Sequence, residues 1–289
     1  MRVVTVFGIN AFSNAMDSGL SRGESRTLAL AQNRRIQQIR TGDLVRLLGM
    51  TSDQERKVLS RLSRRGLAAR VRRGFYLLPP GLPLEGGWSP SEALALTALM
   101  RDCDGRFQIC GPNAFHRYGW DEQVPNRVHV YNNRLSGDRV IGMVELTLVR
   151  IRDERLGSIE SVKTPDGCEL SYSSRARSLV DAVHDWSRFN SLPRAFGWIR
   201  DDLRNSRITT ADLIDAVVRF GNQGTIRRIG YLLEELSLEQ RIPVKLIERL
   251  ERPLRATSST IPWIPTLPKR GKVSKWWGLV ANGAIPEST

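Results

Sequence analysis

The chain has 289 residues and 40% of them are hydrophobic, which is enough for one large domain or for two domains with their own cores. Its formal net charge of +14 favours a polyanionic partner, most commonly a nucleic acid. No apolar run approaches the roughly 20 residues of a membrane helix. The three cysteines are far apart and form no C-x-x-C pair, which argues against a zinc site or a disulfide framework and for a cytoplasmic protein.

Residues 1–23 differ from the rest of the chain because they are low in charge and rich in small residues. We expect them to be a leader that is disordered or that results from a mis-assigned start codon. The apolar stretch Val3–Ile9 resembles the core of an export signal. It is short and follows a single arginine, so export is disfavoured.

Residues 24–80 have the pattern of a winged helix-turn-helix domain. Apolar residues recur at helical spacing from Glu24 to Ile39, which predicts a first helix of about four turns. A short second helix follows Thr41 and ends at Gly49. A third helix is predicted over Thr51–Arg65, with Ser52 as N-cap, Glu55 completing a capping box and Gly66 ending the helix.

The third helix is expected to bind DNA, because its back is apolar and its front carries long hydrogen-bond donors. At about 100° per residue, Val58, Leu59 and Leu62 gather on one side. The other side carries Asp53, Lys57, Ser60 and Arg64, flanked by Arg56 and Arg61. Such a face suits the major groove, where arginine and lysine meet the acceptors of guanine. The alternative is an ordinary solvated basic helix.

After the third helix the period changes to two, which predicts strands at Leu67–Val71 and Phe75–Leu78. Arg72-Arg73-Gly74 forms the hairpin tip, where Gly74 can take positive φ. The arginines of this wing would lie against phosphates or in the minor groove. Residues 24–80 hold thirteen Lys/Arg and four Asp/Glu, so +9 of the charge lies in this motif. DNA binding is therefore favoured over a winged helix used only for protein contacts.

Residues 81–87 are a glycine- and proline-containing linker, and residues 88–289 are expected to form a second, larger α+β domain. It opens with a buried helix capped by Ser89, Pro90 and Glu92. A strand is predicted at Phe107–Cys110, and a short helix begins at Gly111-Pro112. Three further strand-like stretches follow, at Arg127–Tyr131, Val140–Ile151 and Ile159–Lys163. A helical bundle is predicted from Ala176–Trp186, Arg194–Leu203, Thr210–Phe220, Ile226–Leu236 and Val244–Leu250.

The C-terminal tail is rich in proline and tryptophan. Ile261–Pro268 is expected to be extended, because a residue before proline is pushed out of the helical region. Trp276 and Trp277 are predicted to lie in the closing strand of the domain, with one ring inward and the other half covered. They could instead form an exposed anchor for a partner.

No catalytic residue, cofactor or metal site is predicted. None of His116, His129 and His184 has metal-ligand spacing such as H-E-x-x-H. One helix cannot present Ser178, Asp181 and His184 in the geometry of a triad. Asp181 and Asp185 lie four apart on one helix face, close enough to bind a metal or to titrate as a pair, but polar residues where the helix meets solvent or a loop are the favoured interpretation. Gly221-x-x-Gly224 lacks the G-K-[ST] of a phosphate-binding loop. The sequence therefore does not predict an enzyme.

Several motifs occur together in an order that resembles the AbiEi-like antitoxins of type IV toxin–antitoxin systems. They span about residues 25–283 and are SRLSRRGLAARVRRGFYLLPP, CGPNAFHRYGW, SSRARSLVDAV, RRIGYLLEEL and IPTLPKRGKVSKWWGLVANG. The wing segment and the last two motifs carry most of the resemblance. The chain departs from the family in the leader before Glu24 and in the abundance of tryptophan in the second domain.

The resemblance implies a phage-defence pair in which this chain accompanies a nucleotidyltransferase-like toxin encoded beside it. The winged helix would repress the operon by binding double-stranded DNA at an inverted repeat, and the C-terminal domain would neutralise the toxin, by direct contact or through a shared target. The residues expected toward bases are Ser52, Gln54, Arg56, Lys57, Ser60 and Arg61. The residues expected on phosphates are Arg64, Arg70, Arg72 and Arg73.

Two other functions stay open. The chain could be a free-standing winged-helix regulator whose C-terminal domain senses a ligand or oligomerises. It could also be a neutraliser that acts only through protein contacts, with its basic surface against an acidic toxin. A neighbouring gene for a nucleotidyltransferase would favour the antitoxin.

Overall fold

The computed structural model describes residues 19–81, 83, 87–164, 167–255 and 259–286. The described residues divide between two compact units. The first contains the described residues within 19–104, Asp138–Leu146 and 167–168, and the second contains those within Gly105–Gly137, Thr147–Thr164 and 169–286. Helices and strands occur in both, so the α+β class is confirmed. The sequence-based domain boundaries at 80 and 88 stay a prediction.

The first unit begins with helices and a small antiparallel sheet packed on one core. The helices are α1 (Arg22–Arg34), α2 (Asp43–Leu48) and α3 (Ser52–Arg64). The strands are β1 (Gln38–Arg40), β2 (Ala69–Arg72) and β3 (Phe75–Leu77), in the order β1–β3–β2. The buried apolar residues that hold these elements together are Leu28, Ala31, Ile39, Leu44, Met50, Val58, Leu59, Leu62, Ala68 and Leu78.

The first helix is shorter than the sequence predicted. It ends at Arg34 because Arg35 takes a left-handed conformation, with φ of 53°. Ile39, predicted as its last apolar residue, is fully buried on β1 opposite Tyr76. The helix also begins at Arg22, inside the predicted leader, with Ser21 as N-cap. The remainder of the leader prediction, residues 1–18, lies outside the described residues.

The cap of α3 is displaced by one residue from the prediction. Thr51 is the N-cap: its Oγ1 accepts from the Gln54 N–H at 3.2 Å, and the Gln54 Oε1 accepts from the Thr51 N–H at 2.9 Å. Glu55 is buried and instead accepts from the N–H groups of Gly42 and Leu44 at 2.7 and 2.8 Å. A carboxylate placed there satisfies N–H groups at the start of α2 that no helical carbonyl can reach. Glu55 thus fixes α2 against α3.

Two further elements also differ from the prediction. Helix α4 (Glu92–Asp102) is capped by Ser91, whose Oγ accepts from the Leu94 N–H at 3.1 Å. Ser89, the predicted cap, accepts from the Met143 N–H at 2.9 Å. The stretch predicted as a single strand is a hairpin of β6 (Gly137–Ile141) and β7 (Val144–Arg150), because Gly142 turns the chain with φ of 65°.

The second unit combines a mixed sheet with a group of helices. Its strands are β4 (Phe107–Ile109), β5 (Val128–Asn132), the end of β7, β8 (Ile159–Lys163) and β9 (Glu169–Ser173), in the order β7–β5–β4–β9–β8. Strand β4 is antiparallel to β5 and parallel to β9. The helices are α5 (Pro112–Arg117), α6 (Arg175–His184), α7 (Trp186–Phe189), α8 (Arg194–Arg204), α9 (Thr210–Phe220), α10 (Gln223–Leu236) and α11 (Val244–Glu248).

A three-stranded sheet ends the second unit. Its strands are β10 (Ile261–Pro262), β11 (Lys272–Ser274) and β12 (Leu279–Ala281), in the order β10–β12–β11. Trp276 and Trp277 lie in the turn between β11 and β12 and not on a strand. The Trp277 ring is buried in the core of the unit, whereas Trp276 is 38% exposed.

Candidate nucleic-acid interface

The outer face of α3 is held toward solvent by the burial of its inner face. Glu55, Val58, Leu59 and Leu62 are buried. The side chains that the sequence predicted toward bases are all exposed; they are Ser52, Gln54, Arg56, Lys57, Ser60 and Arg61. Arg64, predicted on a phosphate, is exposed on the same face. The helix therefore presents hydrogen-bond donors along a solvent-facing stripe, as a groove-binding helix requires.

The charges of this face differ in how they are paired. Arg56 donates to Asp53 at 2.9 Å, and both side chains are about three-quarters exposed, so this ion pair is weak and easily exchanged. Within the described chain, no carboxylate pairs with Lys57, Arg61 or Arg64. The Oε1 of Gln54 is occupied by the helix cap, which holds this side chain at the start of the helix.

The β2–β3 hairpin brings a second set of cations to the surface. Burial alternates along β2, so Ala69 and Val71 face the core and Arg70 and Arg72 face solvent. The tip depends on Gly74, which has φ of 78° and whose carbonyl accepts from the Thr41 N–H at 2.9 Å. A Cβ at Gly74 would lie 2.7 Å from the Thr41 Oγ1, so a larger residue would displace the tip from the turn between β1 and α2.

Arg72 is engaged by a carboxylate that the sequence analysis did not associate with it. Its Nη2 donates to the Asp102 Oδ1 at 3.0 Å, its Nε donates to the other oxygen, and Arg40 Nη1 donates to the Oδ1 at 2.6 Å. The Asp102 side chain is only 4% exposed, and the hydrogen bond from Arg72 holds its pKa below the usual range. Arg70 and Arg73 have no carboxylate partner among the residues described.

Ser178, Asp181 and His184, which the sequence does not predict to form a catalytic triad, each contact a different residue outside this set. The Ser178 Oγ donates to the Ser173 carbonyl, Asp181 pairs with Arg177 at 2.8 Å, and His184 Nε2 lies 2.8 Å from Arg155 Nη1. Burial raises the pKa of Asp181 to about 6 and lowers that of His184 to about 4. The prediction that Asp181 lies where its helix meets solvent or a loop is wrong, because its side chain and that of Arg177 on the same helix are both fully buried.

The described residues show neither a metal-ligand cluster nor a helix that could span a membrane. No group of three His, Cys, Asp or Glu side chains among them could hold a metal ion. None of their helices combines the length and the apolar character that crossing a membrane requires.

Residues 25–79 match the family model of a transcriptional regulator, AbiEi antitoxin. The resemblance to the AbiEi-like antitoxins is confirmed over this segment. The AbiEi-like segment contains α2, α3, the β1–β3 sheet and nearly all of α1. It therefore carries every side chain that the sequence predicted to contact DNA.

The fold is similar to that of a solved structure over most of the chain. The crystal structure of the RV2827C protein from Mycobacterium tuberculosis matches with a TM-score of 0.54 and 15% identity, over 90% of this chain and 91% of that one. At this identity the similarity concerns the fold alone. No curated protein matches the chain.

Proposed function

We propose that this protein is a cytoplasmic DNA-binding antitoxin of a type IV toxin–antitoxin pair that represses its own operon. The observation that carries the proposal is the set of exposed cations without carboxylate partners in the described AbiEi-like segment, namely Lys57, Arg61, Arg64, Arg70 and Arg73. They occupy one helix face and one hairpin, the two elements that a winged helix uses on DNA. No enzymatic activity is proposed.

In the proposed complex α3 enters the major groove and the hairpin lies on the adjacent backbone. Arg56, Lys57 and Arg61 are long enough to reach guanine acceptors, whereas Ser52, Gln54 and Ser60 form shorter contacts. Arg64, Arg70, Arg72 and Arg73 contact phosphates, which fix position without reading sequence. Because Arg72 already pairs with Asp102, we expect it to contribute less than Arg70 and Arg73.

The experiment that tests repression is a salt-dependent binding titration on the DNA upstream of the gene, beside a scrambled duplex of equal length. Affinity for the upstream DNA at least ~10³ higher would establish sequence-specific binding. Replacing both Arg70 and Arg73 with alanine should weaken binding to both duplexes and flatten the salt slope by about two units. Equal affinity of the unaltered protein for the two duplexes would remove the repressor from the proposal.

The antitoxin part of the proposal rests on the resemblance, which assigns neutralisation of a nucleotidyltransferase-like toxin to the C-terminal domain. It is tested by co-expressing the toxin encoded beside the gene with a variant in which Lys57, Arg70 and Arg73 are alanine. We expect this variant to lose operator binding and still protect the cell. Loss of protection with normal folding would mean that neutralisation requires the DNA-binding face.

A second candidate is a free-standing regulator whose C-terminal domain senses a ligand. The observation in its favour is a basic cavity in the second unit, lined by Arg227, Arg255 and Lys275. The two candidates differ in a simple respect, because only the antitoxin requires a nucleotidyltransferase gene beside its own.

A further inference from the structure

The β11–β12 hairpin is held against α10 by a tryptophan that packs on a glycine of this helix. A Cβ built at Gly230 would lie 2.2 Å from the Trp277 ring, so only glycine leaves room for the indole at this point of the helix. The Trp277 Nε1 donates to the Glu234 carboxylate at 2.8 Å, one turn further along α10. These contacts fix the turn that carries Lys275 and Trp276 against the C-terminal half of α10.

A cavity of about 330 Å³ lies where this turn meets α10, which is within the usual range for small-molecule sites. Three cations and one carboxylate line it, namely Arg227, Arg255, Lys275 and Glu251. The remaining lining residues are Leu254, Trp276, Trp277 and Gly278. Glu251 accepts a hydrogen bond from the Trp276 Nε1.

Arg227 is the unusual member of this lining. Arg227 is only 7% exposed, yet no carboxylate among the described residues pairs with it. Its hydrogen-bond partner there is the Ser259 carbonyl, at 3.4 Å from Nη1. A buried guanidinium without a counter-ion is costly, and an anion bound in the cavity would offset that cost. Arginine also matches phosphate oxygens with paired hydrogen bonds.

Trp276 supplies a flat apolar surface beside these cations. It stacks on Trp277 with ring centroids 5.0 Å apart and an interplanar angle of 24°, so its plane is fixed by the buried ring. The 38% exposed ring lines the cavity. Nucleobases stack on aromatic side chains, and each such contact contributes on the order of 1–3 kcal/mol.

We infer that this cavity binds a nucleoside monophosphate, in which one sugar carries both a phosphate monoester and an aromatic base. The phosphate lies between Arg227, Arg255 and Lys275, and the base stacks on Trp276. The site lies wholly within the second unit and is independent of the proposed DNA interface.

Calorimetric titration of the full chain with AMP, adenosine and inorganic phosphate tests the inference. AMP should bind with 1:1 stoichiometry, and adenosine and phosphate should each bind roughly tenfold or more weakly, because each offers half of the contacts. Arg227→Gln, Arg255→Ala and Trp276→Leu should each weaken AMP binding about tenfold. Arg252→Ala is the matched control, because Arg252 is exposed, carries the same charge and does not line the cavity.

Arg255 and Lys275 are exposed, so their alanine variants keep the test valid if Arg227→Gln fails to fold. Arg73→Ala should leave AMP binding unchanged, which separates this site from the DNA-binding face. Absence of AMP binding at millimolar concentration would overturn the inference. Equal losses in Arg252→Ala and Arg255→Ala would do so too, because they would indicate diffuse attraction to a basic surface. Equal affinity for phosphate and AMP would refute the stacked base.

Discussion

Replacing Asp102 with asparagine should strengthen DNA binding. Asp102 neutralises Arg72 at the hairpin, and the asparagine keeps the shape and a carbonyl acceptor while removing the negative charge. If Arg72 then contacts one additional phosphate, the plot of log K against log salt steepens by about 0.9. Phosphate contacts contribute little at about 1 M salt, so the two proteins should bind equally there. With a slope steeper by about 0.9, the variant should then bind roughly fivefold more tightly at about 0.15 M salt, which is about 1 kcal/mol. Arg40, stacked on Phe75, remains in place.

Fluorescence anisotropy on the upstream and scrambled duplexes, each over a range of salt, measures both quantities. The gain should be equal on the two duplexes, because phosphate contacts carry no sequence information. Asp215→Asn is the control, since it removes the same charge from an exposed ion pair with Arg249 in the second unit. The gain should vanish when Arg72→Ala is combined with Asp102→Asn. Weaker binding and a flatter slope in Asp102→Asn would refute the argument, because Asp102 would then be orienting Arg72 for its phosphate.

Three other outcomes are expected. Lys57→Ala should cost ~1–3 kcal/mol on the upstream duplex and much less on the scrambled one, and equal losses in anisotropy would show that Lys57 contacts only phosphate. Gly230→Ala should lower the free energy of unfolding, measured in urea, by about 1–3 kcal/mol, because the new methyl group overlaps the Trp277 ring. Gly81→Ala is the control, because a Cβ there meets no atom within 4 Å. Equal effects of the two substitutions would contradict the packing of Trp277 on Gly230. Burial and the charge of Arg155 lower the pKa of His184 to about 4, so its contribution to stability is present above pH ~6.5 and lost as pH falls toward 4. Asp181, with its pKa raised to about 6, opposes this loss. Because His184→Gln removes the imidazole that resists protonation in the folded state, the variant should lose less stability than the unaltered protein in thermal melts between about pH 6.5 and 4.

Short-range patterns in the sequence predicted much of the fold. Helix α9 runs from Thr210 to Phe220 as its spacing indicated, because its cap and its apolar positions lie within one segment. The predictions were wrong where the same stretch of sequence is compatible with two local structures. Thr51 and Ser52 both precede a suitable capping partner, and the choice between them was decided by Glu55, which is buried against α2. That contact joins residues 13 positions apart, beyond the range of a capping pattern.

Long-range pairings could not be predicted from the spacing of residues along the chain. Strand β9 has few apolar residues and is identified as a strand by its pairing with β8 and β4. Asp102 is 30 residues from Arg72, and no periodicity connects the end of a helix with the tip of a hairpin. Gly230 and Trp277 are separate motifs in the sequence, and their dependence on each other follows only from the packing of the hairpin on α10.

The same distinction applies to charge. Counting residues gives +9 for residues 24–80 and treats all the cations there as equal. In the structure Arg40 and Arg72 share Asp102, Arg46 pairs with Asp43, and Arg56 pairs with Asp53. The cations left without a carboxylate in the described chain include Lys57, Arg61 and Arg64 on α3 and Arg70 and Arg73 on the hairpin. A phosphate can approach these side chains without displacing a protein carboxylate, and each such contact releases counterions from DNA. The pairing pattern therefore orders the cations by their expected contribution to binding, which net charge alone cannot do.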